Sequence, residues 1–192
     1  MSAKAHSLRL FLSEIARAPR RMGTVWPSSP ALAEAMARWL PTSATAPVVE
    51  LGPGTGIVTE KLLEAGWPEE RLIAVEKSER MAGYLQHRFP RARIHQGDAL
   101  QLARLLGDQK VAGVFSSLPL KVFTPQEAEQ LTRQIESVLL PGHNWIQYSY
   151  QIVNGHAPSS SFHAVDSEIV WQNLPPAKVS VYRRGNQQSQ GS

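Results

Sequence analysis

Apolar and polar positions change period twice along this chain. Leu8, Phe11, Leu12 and Ile15 recur at helical spacing, which predicts an amphipathic helix over residues 7–18 that Pro19 ends. A loop over 20–29 follows. Ser29 before Pro30 has the chemistry of an N-cap with proline at the first helical place, predicting a second helix from Pro30 to Leu40. Pro41-Thr42-Ser43 breaks it. From Ala46 onward, short apolar runs alternate with helical patterns. Strands are expected over 47–51, 71–76, 91–95, 111–116 and 143–152, and helices over 56–65, 78–88, 100–106 and 125–138. Such alternation predicts a parallel sheet with helices on both faces. The last two strands, 163–171 and 177–184, have only Asn173-Leu174-Pro175-Pro176 between them, so they predict a hairpin. That four-residue link reads as a turn, its two prolines explained by geometry. The expected fold class is therefore α/β, a seven-stranded sheet, mostly parallel with a C-terminal antiparallel hairpin. Residues 185–192 read as a frayed polar tail.

Composition narrows the class without naming it. A chain of 192 residues, 42% hydrophobic and 19% charged, has enough apolar content for a core and is not a disordered polymer. No apolar run approaches the ~20 residues of a spanning helix. There are no cysteines, and the six histidines lack metal-ligand spacing, so disulfides and a metal centre are not expected. No segment reads as a secretory leader, which leads to a cytoplasmic expectation. The net charge of +4 changes the picture more. Lys4, Arg9, Arg17, Arg20 and Arg21 crowd the beginning against one acid, Glu14, and point to an anionic partner, nucleic acid or a membrane surface.

The chemistry concentrates at the ends of strands. Val48-Val49-Glu50-Leu51-Gly52-Pro53-Gly54-Thr55-Gly56 joins an apolar strand to a helix through three alternating glycines. Bare backbone at such a turn lets a ligand approach closely. The run Leu72-Ile73-Ala74-Val75 ends in Glu76, where a carboxylate can accept from both ribose hydroxyls. A dinucleotide fingerprint would put its third glycine at Ile57, so a hydride-transfer domain is the lesser reading. The spacing Glu50, Gly52, Gly54, Gly56 resembles the first motif of class I S-adenosylmethionine-dependent methyltransferases, whose cofactor carries an amino group and a sulfonium that favour an acid near the turn. Gly97-Asp98-Ala99 resembles that family's third motif, in which the aspartate accepts from the adenine amino group. An N-cap before Leu100 is its structural alternative, and both roles are compatible. The resemblance implies a Rossmann-like fold, S-adenosyl-L-methionine as cofactor and S-adenosyl-L-homocysteine as product. Lys77, Ser116, Ser28 and Ser29 join the expected cofactor contacts.

Ser116-Ser117-Leu118-Pro119-Leu120 ends the fourth strand, where the transferable methyl would emerge. Amine-directed relatives carry an amide and an aromatic there; Ser117 and Leu120 take those places, which removes an acceptor and a stacking surface for a planar base. In combination with Gly23 to Ser29, Gln147-Tyr148-Ser149-Tyr150, Asn173 to Ala177 and Tyr182-Arg183-Arg184, the chain resembles bacterial phospholipid N-methyltransferases that convert phosphatidylethanolamine toward phosphatidylcholine. These are similar in fold to rRNA adenine dimethylases, which makes rRNA adenine N6-methylation the alternative. Those enzymes usually append a helical domain for which no residues are left here. A cofactor-binding module without catalysis would need a spoiled pocket, and none of its expected residues is lost. The resemblance implies Tyr148, Ser117 and Leu118 as the catalytic set, with Trp26 closing the pocket. Phe123, Trp145 and Tyr150 are further aromatic candidates for holding a growing cation, against an ordinary core role. It also implies a helical extension over 1–40 ahead of a methyltransferase domain over 41–184. The first helix, with Arg9, Arg17, Arg20 and Arg21, would meet an anionic membrane on the inner face of the cytoplasmic membrane. The expected partner is thus lipid and not nucleic acid, and the expected state is a monomer.

Overall fold

A single mixed sheet organises the protein, seen in a computed structural model that describes residues 28–120, 123–150 and 159–186. The predicted helix over 7–18, the loop with Arg20, Arg21 and Trp26, and the polar tail beyond 186 lie outside the described residues. Strands β1 (Val48–Leu51), β2 (Leu72–Glu76), β3 (Arg93–Gln96), β4 (Val111–Ser116), β5 (Leu139–Ser149), β6 (Phe162–Val170) and β7 (Ala177–Arg184) pair in the order β3-β2-β1-β4-β5-β7-β6. β1 to β5 run parallel, and β7 lies antiparallel between β5 and β6. Helices α1 (Pro30–Ala37), α2 (Ile57–Glu64), α3 (Glu79–Arg88), α4 (Leu102–Leu106) and α5 (Pro125–Val138) complete the layers.

Burial explains why the central strands are almost wholly apolar. Every residue of β1 and β4 is buried, so both faces must be covered. One core cluster joins α1, α2 and α3 to Val48, Phe115, Ile146 and Tyr148; the other joins α4 and α5 to Val49, Leu51, Val114 and Trp145. α1 is itself core, because Leu32, Ala33 and Met36 are completely buried and the helix packs on α2. Fully burying a side chain of Leu or Met size contributes ~1.5–3 kcal/mol. Ser29 caps this helix by accepting from the Leu32 N–H at 3.2 Å. The segment assigned to a terminal extension therefore ends inside the folded unit.

Two boundaries differ from expectation. α1 stops at Ala37 because its last turn tightens, with Trp39 donating to Met36 and Leu40 to Ala37. β5 begins at Leu139, directly after α5, and not at 143. A register shift accommodates Pro141 and Gly142 within this strand: Val111 pairs with Leu139, and Gly113 next pairs with Asn144.

Topology selects the functional edge. From β1 the chain moves outward through β2 and β3, then returns to β4 on the other side of β1. The carboxyl ends of β1 and β4 thus flank the switch point, where open α/β sheets bind ligands.

Candidate active site

The three glycines after β1 all have positive φ, at 67°, 56° and 78°, but they serve different ends. A Cβ on Gly52 would come within 2.6 Å of Leu118, and one on Gly56 within 2.6 Å of Phe89. Those two are demanded by packing. A Cβ on Gly54 would meet nothing within 4 Å, so this residue alone borders open space at the turn. Its N–H donates to Glu76 at 3.2 Å, and the other Glu76 oxygen accepts from the Ser78 N–H at 2.9 Å. The half-buried Glu76 carboxylate is thereby fixed beside the open glycine.

Glu50 lies beneath the turn at 0% exposure. One carboxyl oxygen accepts from the Thr59 hydroxyl at 2.6 Å; the other has no partner. Burial pushes this carboxyl up to about 7 against the opposing Thr59 hydrogen bond, with the nearby Glu76 adding to the rise. Thr59 carried no signal in the sequence beyond being a helix residue. Asp98 takes the expected N-cap place, accepting from the Leu100 N–H at 3.0 Å, and it also pairs with the exposed Lys77 at 2.6 Å. Burial raises its pKa, but the Lys77 and Leu100 hydrogen bonds outweigh that and hold it below the usual carboxylate range. Gly97 packs against Leu105, and Ala99 is buried in the core beside α4.

At the end of β4, Ser116 is fully buried and its hydroxyl accepts from the Leu118 N–H at 3.5 Å. The Ser117 N–H extends the sheet by donating to Leu51 at 2.9 Å, while its buried hydroxyl has no partner. Gln147 on β5, in register with Ser116, enters the sequence reading only as part of the Gln147–Tyr150 segment, with no site role expected of it. Its amide nitrogen donates to the carbonyls of Leu118, at 3.0 Å, and Tyr148, at 2.6 Å. Carbonyls only accept, so the amide must turn its NH2 toward them, and its buried oxygen is left without a donor. The adjacent strand thus fixes the Leu118 carbonyl at the end of β4.

A second group closes the site from the hairpin side. Tyr148, 3% exposed, hydrogen-bonds to Ser28 and Tyr150, and the two tyrosine rings meet edge to face at 5.6 Å. Burial raises both hydroxyls well above their ordinary values, so both stay protonated near neutral pH. Tyr150 also bonds Asn173, whose side-chain oxygen accepts from the Ser29 N–H at 2.8 Å. Asn173 is 1% exposed and is more than a turn residue: it ties the hairpin to the start of α1. Ser28 and Ser29 accordingly sit with Tyr148 as network and cap residues. Trp145 belongs to the opposite face, buried against Phe162 and Tyr182, and Phe123 packs half-buried on that same core, so neither joins this group. Trp26, Arg9, Arg17, Arg20 and Arg21 lie outside the described residues. A groove of about 710 Å³ does open elsewhere, lined by Trp39, Pro41, His143 and Arg183. It lies at the amino-terminal ends of β1 and β4, the wrong edge for the glycine turn.

An open glycine, a fixed strand-end carboxylate and three buried acceptors without donors, Glu50, Ser117 and Gln147, suit a ligand that brings its own N–H and O–H groups. With the strand order, this defines a doubly wound nucleoside-binding domain. Residues 48–142 match the family described as methyltransferase domain. An ornithine lipid N-methyltransferase from Singulisphaera acidiphila is 32% identical over 138 residues, covering 69% of this chain and 72% of that protein. A ribosomal RNA small subunit methyltransferase from Arabidopsis thaliana is 39% identical over 79 residues, but these are 38% of this chain and 22% of that protein. Among solved structures, the CcbJ methyltransferase from Streptomyces caelestis superposes with a TM-score of 0.66 at 19% identity, covering 92% of this chain and 98% of that one. The chain belongs to the class I S-adenosylmethionine-dependent methyltransferases, and S-adenosylmethionine is its cofactor. By their place at the carboxyl edge, Glu50, Gly54, Glu76 and Asp98 are the residues that could hold it.

Proposed function

We propose that this protein N-methylates the amine of a membrane lipid, phosphatidylethanolamine and its mono- and dimethyl forms foremost. It would work as a monomer bound peripherally to an anionic membrane, on the inner face of the cytoplasmic membrane, without a nucleic-acid partner. Among the described residues no helix is long and apolar enough to cross a bilayer. The observation that carries the reading is the makeup of the acceptor end. Uncharged oxygens and aromatic faces come from the ends of two neighbouring strands: the Leu118 carbonyl held by Gln147 after β4, and the protonated Tyr148–Tyr150 pair at the end of β5. The lipid relative supports an N-methylation; the rRNA relatives resemble a shorter stretch.

Bound S-adenosylmethionine supplies a methyl group activated by its sulfonium. The chain must then present a nitrogen lone pair to it. A primary ammonium like that of lysine has a pKa of about 10.4 in water, so the amine arrives protonated. The dry surroundings of Tyr148 favour the neutral amine, so the ammonium gives its proton up to bulk water before it is enclosed. The Leu118 carbonyl can accept an amine N–H, and orientation of this kind contributes up to ~7–11 kcal/mol. As methyl groups accumulate, hydrogen bonds disappear and positive charge becomes permanent. The Tyr148 and Tyr150 rings can hold such a cation without a fixed donor or acceptor.

The test offers methyl-labelled S-adenosylmethionine with phosphatidylethanolamine vesicles, ornithine-lipid vesicles and rRNA in parallel. Label in phosphatidylethanolamine is expected. Label in ornithine lipid alone would move the substrate within lipid amines, and label in rRNA alone would refute the proposal.

A further inference from the structure

The turn 171–176 joins β6 to β7 and lies beyond the carboxyl ends of the parallel strands. Register fixes this, since Ser149 at the end of β5 pairs with Lys178, and Val170 pairs with Ala177. The turn carries Trp171 at 68% exposure and Leu174 at 79%; the other large apolar side chain exposed among the described residues is Val165, at 37%. Single exposed hydrophobes are ordinary. Here two stand three residues apart, in a stretch from Ile169 to Ala177 without a charge. Between them Asn173 faces inward, bonded to the Ser29 N–H at 2.8 Å and to the Pro175 carbonyl at 2.7 Å. Through Tyr150 the same residue reaches Tyr148. Asn173 therefore holds the turn from below, and Trp171 and Leu174 stand exposed outside the Tyr148 network.

We propose that this turn is a membrane-docking wedge. Trp171 and Leu174 enter the headgroup boundary of an anionic bilayer and seat the carboxyl edge of the sheet on its surface, so that a lipid amine reaches Tyr148 without leaving the membrane. The inference rests on the lipid-amine reading above. Tryptophan suits such a boundary because its ring is apolar and its N–H is polar. The basic residues Arg17, Arg20 and Arg21, complementary to anionic lipid, precede in the sequence Ser29, whose N–H is bonded to Asn173 of this turn. A protein partner is the poorer occupant: a stable interface takes ~800 Å² and 20–30 residues a side, whereas two side chains and an uncharged turn suffice to insert in a headgroup layer.

The test compares the full chain with its Trp171→Ser/Leu174→Ser variant on vesicles of phosphatidylethanolamine and phosphatidylglycerol. Vesicle partitioning should fall on the order of tenfold or more in the variant, with vesicle turnover falling alongside. S-adenosylhomocysteine affinity and turnover on monomeric short-chain phosphatidylethanolamine should stay at the wild-type level. Equal partitioning and equal vesicle turnover would overturn the wedge. So would a wild-type dimer that the variant dissociates without any change in vesicle binding. If the wild-type chain methylates neither form of the lipid, the substrate reading itself has failed, and that is seen before any variant is compared.

Discussion

Replacing Glu50 by glutamine tests the centre of the cofactor site. This carboxyl is fully buried, accepts hydrogen bonds from the Thr59 hydroxyl and backbone, and is raised from 4.5 to about 7. A rise of that size corresponds to ~3 kcal/mol of disfavoured ionisation. The folded protein holds this proton more tightly than the unfolded chain does. Its stabilising contribution is thus complete below pH 4.5 and is lost as pH rises through about 7. Above pH 7 the protein without cofactor carries a buried anion whose second oxygen has no partner. A cofactor that brings an ammonium group compensates that anion; a hydrogen bond to a charged group is worth ~1.5–3 kcal/mol. Wild-type affinity for S-adenosylhomocysteine should therefore weaken as pH drops below about 7, with a proton released on binding, measurable by calorimetry in buffers of different ionisation enthalpy. Glu50→Gln removes the charge and keeps the shape. At pH 8 its cofactor-free melting temperature should rise by several degrees, at ~2–4 °C per kcal/mol for a chain of this size, and become nearly independent of pH between 5 and 8. Its S-adenosylhomocysteine affinity should fall roughly 10–100-fold. A variant with wild-type affinity and an unaltered melting profile would refute the reasoning.

Two further substitutions separate cofactor binding from transfer. Gly54→Ala should cost about 1 kcal/mol of stability, because φ is 56° with room for the methyl group, yet it should lower S-adenosylhomocysteine affinity at least tenfold by filling the open side of the turn. Normal affinity on calorimetry would remove Gly54 from the cofactor surface. Tyr148→Phe keeps the buried ring and removes only the hydroxyl that Ser28 and Tyr150 share, so turnover should fall about tenfold at unchanged cofactor affinity. Unaltered turnover would leave that hydroxyl without a role. Truncation to alanine is a poorer probe of the same residue, since it would open a core cavity costing ~3–5 kcal/mol.

What the sequence alone determined is whatever depends on near neighbours. Strand–helix alternation, the glycine spacing after β1, the acid ending β2, and the Ser29 cap are all written within a few residues of one another. Each follows from backbone sterics or from hydrogen bonds inside a single turn. Glu50, Glu76, Asp98 and the Ser116–Leu120 segment could be placed at one edge because strand ends in a parallel sheet share an edge. Local signals also misled: the expected strand began at 143 although β5 starts at Leu139, and an aromatic in the right strand made Trp145 a candidate, though its alternation puts it on the opposite face from Tyr148.

Tertiary structure decided which of those groups are satisfied and which await a ligand. Gln147 reaches Leu118 across 29 residues, and Asn173 reaches Ser29 across 144. No periodicity or motif reports a contact of that separation, because it exists only once the strand order has brought β5 and the hairpin alongside β4 and α1. The same holds for Gly52 and Gly54, alike in sequence and conformation, of which one is closed by Leu118 and the other faces open space. Burial likewise turned Glu50 from an ordinary acid into one that titrates near neutrality, since the cost of a charge depends on how much water the whole fold excludes.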